Sequence, residues 1–356
     1  MPQIKQNKII FISYFPNPVN GQSEFSQALY SHINNINETA LLTKVELQSK
    51  GVSKLLKFIY AIFVVLFSRH ILSIYVSPPS GWGRIPFCFL SIFIRLRNAK
   101  VVVHHHTSRG IIVATPVWEA IYFKILGKNA LHIFLCESVA RNFSQRFKSV
   151  KNYKVMSNAY LKFSPHYASK EDGCFYVGLL SVLTFDKGVT YFFDLMEHII
   201  KSREENIKFI MAGPAQAPKL RKIIESYAKK YPDEFTYLGA VYGAEKESFF
   251  KKINLMVLPS TLADETEPLI MYEAYSFGAE FMGTARGCIP SCISDDNNIL
   301  TLDVQKDGEN ILALCQVFLR DREKYIANTM SHGALLAEKS SQQLKELIKE
   351  LTVASP

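Results

Sequence analysis

Residues 253–284, INLMVLPSTLADETEPLIMYEAYSFGAEFMGT, read as strand, loop, helix and strand. The apolar run Leu255 to Leu258, stopped by Pro259, gives the first strand; Pro268 at the first helical position and Gly278 just past the end bracket the helix. Such a turn aims free backbone N–H groups and the positive end of the helix dipole at whatever lies beyond the strand's C-terminal end, which suits a phosphate. The same stretch carries two carboxylates, Glu265 and Glu273, with seven residues between them. Ionised carboxylates only accept hydrogen bonds, so beside an anion site they call for groups that donate, such as the hydroxyls of a ribose and a sugar. A nucleotide sugar meets both demands. The competing reading puts Glu265 on a solvated loop and Glu273 on the wet face of an amphipathic helix. Against it, Met271, Ala274 and Phe277 are spaced to face a core while Glu273 turns to the loop.

The segment resembles the donor-binding motif of the family 4 retaining glycosyltransferases of bacterial surface-polysaccharide type, which have the GT-B fold. In that family a Pro-Ser ending the strand is followed by Glu, seven residues, Glu-Ala and then a Gly; here these are Pro259, Ser260, Glu265, Glu273, Ala274 and Gly278. The resemblance implies that Glu273 holds the ribose hydroxyls, that Glu265 holds a hydroxyl of the transferred sugar, and that the backbone at Pro268, Leu269 and Ile270 meets the diphosphate or sugar. It further implies that His106, in the HTS of residues 106–108, lies next to the donor sugar, and that Lys187 of the Lys187-Gly188 pair lies on the donor phosphates. Gly21 stands in the family's glycine-rich loop, although Gln22 replaces a second glycine. Two more positions depart from the pattern: Leu179 follows Gly178 where an Arg is common, and Thr266 stands where a Gly often follows the first Glu. Retention by a front-face route, with the leaving phosphate taking the acceptor proton, is the family's usual proposal.

Composition bounds the class. At 356 residues, 48% hydrophobic and 21% charged, the chain has the length and profile of two ordinary globular domains. The six cysteines are scattered with no CxxC, and are expected as reduced core residues of a cytosolic protein; no secretory signal is read, because the N-terminus runs directly into KIIFIS. Charge divides the chain. Met1 to Lys170 carries 21 Lys+Arg against 5 Asp+Glu, a net +16, while the remainder is net −7. Between Leu47 and Trp118 there are nine basic residues and no acidic one. A basic half wants an anionic partner. No helix-turn-helix, zinc finger or RNP-like motif points to nucleic acid, and the basic residues alternate with apolar runs, so an anionic membrane surface is the better fit.

Along the chain, Lys8–Ser13 reads as a strand followed by a helix from about Ser23 to Ile33. Lys54 to Arg69 holds ten consecutive apolar residues, Phe58 to Phe67, and Ile85 to Arg97 repeats the theme; both fall short of the roughly 20 residues a membrane-spanning helix needs. The strand AKVVVHHHTSRG ends in His104, His105 and His106, which alternate sides and so do not converge on one metal. His104 is expected as a strand residue with a satisfied hydrogen bond, and His105 is left open. After a polar stretch from Leu161 to Gly173, strands CFYVG, IKFIMAG, FTYLG, NLMVLPS and EFMGT alternate with amphipathic segments.

The fold expected is α/β, two doubly wound parallel-sheet, Rossmann-like domains facing a cleft. The N-terminal acceptor-binding domain is placed at 1–165, the C-terminal nucleotide-sugar domain at 166–335, and a C-terminal helix at 336–356 returns to the first domain by family analogy. The expected function is transfer of a sugar from a nucleotide diphosphate, UDP foremost, to a saccharide or lipid-linked saccharide in polysaccharide biosynthesis. His106 and Glu265 are the catalytic candidates; Lys187, Glu273, Pro268, Leu269, Ile270 and Gly21 bind the donor. No metal or other cofactor is expected, since Lys187 and a helix N-terminus serve the leaving diphosphate. The setting expected is the cytoplasmic face of a membrane. The alternative is a non-catalytic nucleotide-sugar-binding or scaffolding subunit; a glycoside hydrolase, which also uses two carboxylates, has nothing further here to support it.

Overall fold

The computed structural model describes residues 7–16, 21–36, 40–49, 51–112, 117–166, 173–202 and 206–353. The chain forms two compact units, Met1–Leu161 with Lys339–Pro356, and Lys162–Glu338.

The first unit holds strands β1 (Asn7–Ser13), β2 (Ala40–Glu46), β3 (Ile71–Val76), β4 (Lys100–His104), β5 (Leu131–Phe134) and β6 (Tyr153–Val155), in the order β2-β1-β3-β4-β5-β6 with every pairing parallel. Its helices are α1 (Gly21–Ile36), α2 (Val52–Phe67), α3 (Ile85–Arg95), α4 (Arg109–Ile112), α5 (Val117–Leu126), α6 (Glu137–Arg146) and α7 (Ala159–Lys162). Strands covered on both faces read as unbroken apolar runs, and Ile9 to Ile12 are all fully buried.

The second unit holds β7 (Phe175–Leu180), β8 (Ile207–Ala212), β9 (Phe235–Tyr237), β10 (Leu255–Leu258), β11 (Glu280–Thr284) and β12 (Ile299–Leu300), in the order β12-β11-β10-β7-β8-β9, again all parallel. Its helices are α8 (Val189–Lys201), α9 (Pro218–Lys230), α10 (Gly243–Lys252), α11 (Leu269–Ser276) and α12 (Val304–Arg320), and α13 (Arg322–Thr352) starts here. In each sheet the first strand is flanked by its sequence neighbour on one side and by a later strand on the other. A crevice therefore opens beyond the carboxyl ends of β7 and β10, where open parallel sheets take ligands.

The last helix shows how the chain divides. Leu344, Leu347, Ile348 and Leu351 belong to the same core as Phe11, Phe25, Tyr75 and Ile133. Each such burial is worth about 2 kcal/mol, and the helix end is pinned further where Ser73 Oγ donates to Leu351 O at 2.7 Å and Lys154 Nζ reaches Glu350 at 2.8 Å.

Several sequence expectations shift. The C-terminal helix placed at 336–356 begins earlier, at Arg322, just after Asp321, whose carboxylate accepts from Lys324 N at 3.0 Å and caps it. Pro268 is the extended residue before the helix, with ψ 122°, and Leu269 is the first helical one. β7 runs on past Gly178, so Leu179 is a fully buried strand residue, and β2 and β12 are strands the pattern did not reveal. The expectation of six reduced thiols holds for Cys88, Cys174, Cys292 and Cys315 and fails for Cys136 and Cys288, which are not free thiols. Among the described residues no helix is long and apolar enough to cross a membrane.

Candidate donor site

The turn after β7 is built around a close approach. Thr184 Oγ1 accepts from Lys187 N at 3.3 Å, closing a short 3-10 turn over Phe185–Lys187. Gly188 then takes φ 78°, and a Cβ on it would lie 2.2 Å from Pro259 O, so both conformation and space demand glycine. Thr261 N donates to Asp186 O at 2.8 Å. These contacts hold the Lys187 backbone against the end of β10, and the lysine reaches Glu265 Oε2 at 2.5 Å.

The loop carrying Glu265 is fixed from the other side. Gly287, at φ 50°, packs its α-carbon against the Thr266 backbone, where a Cβ would come within 2.4 Å, and Cys288 N donates to Thr266 O at 2.6 Å. The neighbouring Glu267 is buried and accepts from Tyr272 Oη at 2.6 Å. Pro268 then leads into α11 and offers no side-chain cap, which leaves the first-turn amides to whatever lies above them. Leu269 and Ile270 are half-buried at that end. Met271 and Ala274 face the core, and Gly278 at φ 65° ends the helix.

Glu273, half-buried on α11, is gripped by Lys246 Nζ at 2.7 and 2.8 Å to its two oxygens, with Lys162 Nζ 3.8 Å away. The second unit thus pairs Lys187 with Glu265 and carries Pro268, Leu269 and Ile270 at the start of α11 and Glu273 farther along it. It adds Lys246, Lys162 and Gly287, none of which the sequence marked as a ligand-site residue. Each carboxylate faces a lysine and keeps acceptor capacity for hydroxyl donors, beside an uncapped helix start that suits an anion.

In the first unit, His106 follows the end of β4 and its two ring nitrogens are buried with no hydrogen-bond partner. Burial pushes its pKa down to about 3, so the ring is neutral. It lies 4.0 Å, centroid to centroid, from His104, whose Nδ1 pairs with Tyr75 Oη at 2.9 Å while its Nε2 has no partner. His105 is turned away onto His132, 3.0 Å between Nε2 and Nδ1. Gly21 is not in a turn but opens α1, and residues 17–20 before it lie outside the described residues. Nearby in sequence, Gln22 Nε2 donates to Ser77 O at 2.7 Å, tying α1 to the end of β3. Among the described residues no group of three His, Cys, Asp or Glu is arranged to hold a metal ion.

Residues 168–329 match the family model described as glycosyl transferases group 1. No curated protein matches the chain. Among solved structures, HepE from Anabaena in complex with UDP and glucose is similar at 15% identity and TM-score 0.67, over 98% of this chain and 100% of that one. Sucrose-phosphate synthase from Thermosynechococcus elongatus is similar at 15% identity and TM-score 0.67, over 98% and 100%. A trehalose-6-phosphate structure from E. coli bound with UDP-2-fluoro glucose is similar at 9% identity and TM-score 0.65, over 99% and 100%. At these identities the likeness shows the fold, which is GT-B.

Proposed function

We propose, from a chain whose residues 168–329 form a group 1 glycosyl transferase domain and whose fold is GT-B, that the protein is a family 4 retaining glycosyltransferase using a UDP-sugar. The observation that supports the reading is a pair of lysine–carboxylate contacts, Lys187 with Glu265 on the loop before α11 and Lys246 with Glu273 on α11 itself, flanking in sequence the uncapped start of that helix inside the matched segment. In the reaction, the bond between the anomeric carbon and the β-phosphate oxygen breaks, an acceptor hydroxyl oxygen bonds to that carbon while its proton passes to the departing phosphate, and the nucleoside diphosphate leaves. Lys187 and the amides of Leu269 and Ile270 stabilise the charge that grows on the diphosphate, which makes a metal unnecessary. Glu273 takes the ribose hydroxyls, Glu265 a sugar hydroxyl, and neutral His106 hydrogen-bonds the sugar. The binding of UDP with glucose by HepE supports the choice of base.

The acceptor is a saccharide or lipid-linked saccharide of a polysaccharide pathway, met on the cytoplasmic face of an anionic membrane. What supports this is the outer face of α2. That helix buries Phe58, Ala61, Val64 and Val65 and leaves Leu55, Leu56, Ile59, Tyr60, Phe63 and Phe67 exposed, the last at 68%. The adjoining α3 exposes Phe89 and Ile92. The basic residues are fewer than the count from sequence. Arg84 is buried 3.7 Å from Glu119, Arg97 donates to the Leu66 and Ser68 carbonyls, Lys100 pairs with Glu350, and Lys50 lies outside the described residues. Lys54 and Lys57 near the start of α2 and Arg69 beyond its end remain beside the apolar face.

Release of nucleoside diphosphate from a panel of nucleotide sugars, with and without saccharide acceptors, tests the activity. Turnover with a UDP-sugar is expected. Tight UDP binding without turnover across the panel would favour a non-catalytic subunit instead.

A further inference from the structure

Lys246 lies 27 residues before Glu273, on α10, yet its ammonium is centred on that carboxylate, 2.7 Å from Oε1 and 2.8 Å from Oε2. Lys162 stands farther off at 3.8 Å, so the close bonds are Lys246's alone among those two. Lys246 Nζ also lies 5.8 Å from the Phe250 ring centroid, and a third of the side chain is exposed. A carboxylate has about four lone-pair sites. One ammonium bonded to both oxygens uses one on each and fixes the rotation of the group, leaving one per oxygen for two hydroxyls.

We infer that Lys246 is a positioning residue for the donor nucleotide: it sets the orientation in which Glu273 accepts the two ribose hydroxyls. A charge-assisted pair is about twice as strong as a neutral hydrogen bond, enough to hold a three-torsion side chain in one rotamer. The effect reaches the ligand only through Glu273. Removing Lys246 therefore costs affinity only for a nucleotide that has those hydroxyls.

The inference rests on the reading of Glu273 as the ribose ligand, and its test separates the two. Affinities for UDP and for 2′,3′-dideoxy-UDP are measured by calorimetry on wild type, Lys246→Met, Lys246→Arg and Glu273→Gln, with thermal melting as a check on folding. Wild type is expected to prefer UDP by about tenfold or more. Lys246→Met is expected to lose most of that preference by weakening UDP alone, while Lys246→Arg keeps it. No UDP binding by wild type, or no wild-type preference, would overturn the donor reading of Glu273 and this inference with it. A wild-type preference lost in Glu273→Gln but intact in Lys246→Met would overturn the inference alone. So would equal weakening toward both nucleotides, which marks a structural role, or tighter UDP binding in Lys246→Met, which marks a lysine that competes with the ligand.

Discussion

Lys187 Nζ and Glu265 Oε2 lie 2.5 Å apart across 78 residues of sequence, so the cation proposed for the diphosphate and the carboxylate proposed for the sugar hold each other. Glu265 is only 9% exposed and Lys187 21%, so neither is a freely solvated surface charge. Lys187→Ala is expected to weaken UDP binding by about 10- to 100-fold, through loss of one charge-assisted contact to phosphate and of the partner that orients Glu265. Because the two side chains touch, Lys187→Ala with Glu265→Gln should cost less than the sum of the single changes. Calorimetric titration with UDP reads both effects; unaltered affinity in Lys187→Ala removes it from the donor site.

Glu273→Gln is expected to raise the dissociation constant for UDP about tenfold, because a carboxylate that can accept at both oxygens is replaced by an amide that accepts at one. Nitrogen in place of one oxygen also loosens the grip of Lys246. The same titration checks it, and a variant that binds as wild type assigns Glu273 to structure.

How much of this the sequence discloses follows from burial. Strands covered on both faces must be apolar throughout, so FYVGLL, IKFIMA and LMVL stand out unaided. β2, ALLTKVE, is an edge strand whose side chains are mostly half-exposed, and it carries Thr43 and Lys44; β12 has two residues, too few for any period to show. Glu265 and Glu273 are legible because they share one turn and one helix. Lys246 sits among Glu245, Glu247, Lys251 and Lys252 in GAEKESFFKK, where nothing in spacing or type distinguishes it; only the packing of α10 beside α11 brings it to Glu273. Gly287 is similar, since its need for glycine comes from Thr266, 21 residues earlier.

Turnover is expected to survive EDTA if Lys187 and the amides at the start of α11 serve the leaving diphosphate as proposed, since they then supply its positive charge. Initial rates of UDP release before and after chelation measure this. Activity lost to EDTA and restored by magnesium or manganese would count against the assignment of the leaving-group role to Lys187.

His106→Ala should lower turnover more than it changes UDP affinity if His106 has the proposed role, because a group that bonds the transferred sugar acts chiefly in the transition state. Its ring is neutral far below pH 6.5, so the rate should show no loss from titration of this side chain between pH 6 and 8. Wild-type turnover in His106→Ala would return the residue to a packing role.

The buried histidines make the first unit sensitive to acid. His106 and His132 are held down to about 3, and His104 and His105 well below their ordinary value, all chiefly by burial away from water. In the unfolded chain each titrates near 6.5, so between that value and the folded one the unfolded state binds protons that the native state does not. Stability is complete above about pH 6.5 and is lost as pH falls, by up to about 1.4 kcal/mol per pH unit for each histidine. Thermal melts should show a steep drop in Tm from pH 7 to pH 5, shallower in His132→Asn. A flat profile over that range would refute the burial of these groups in the native state.

The protein should also bind anionic vesicles through the outer face of α2, and the argument runs from exposure to location. Six apolar side chains on one helix, Leu55, Leu56, Ile59, Tyr60, Phe63 and Phe67, are left in water although Phe58 packs against Phe87 of α3, with ring centroids 5.2 Å apart. Partial insertion of such residues gains about 25 cal/mol for each Å2 removed from water. Lys54, Lys57 and Arg69 add about 1 kcal/mol each near an anionic surface, a term that salt screens. Lys57 Nζ already donates to Gln48 O at 2.7 Å, so its share is the most easily given up. Binding is therefore expected to need both terms: sedimentation with phosphatidylserine vesicles at low salt should pellet the wild type, neutral vesicles should pellet less, and added salt should release part of it. Phe63→Asp is expected to weaken pelleting more than Lys54→Glu with Lys57→Glu, because it puts a charge into the apolar face itself. Wild type remaining in the supernatant at low salt, or pelleting untouched by all of these changes, would leave α2 as a packing helix and the acceptor without this route to the enzyme.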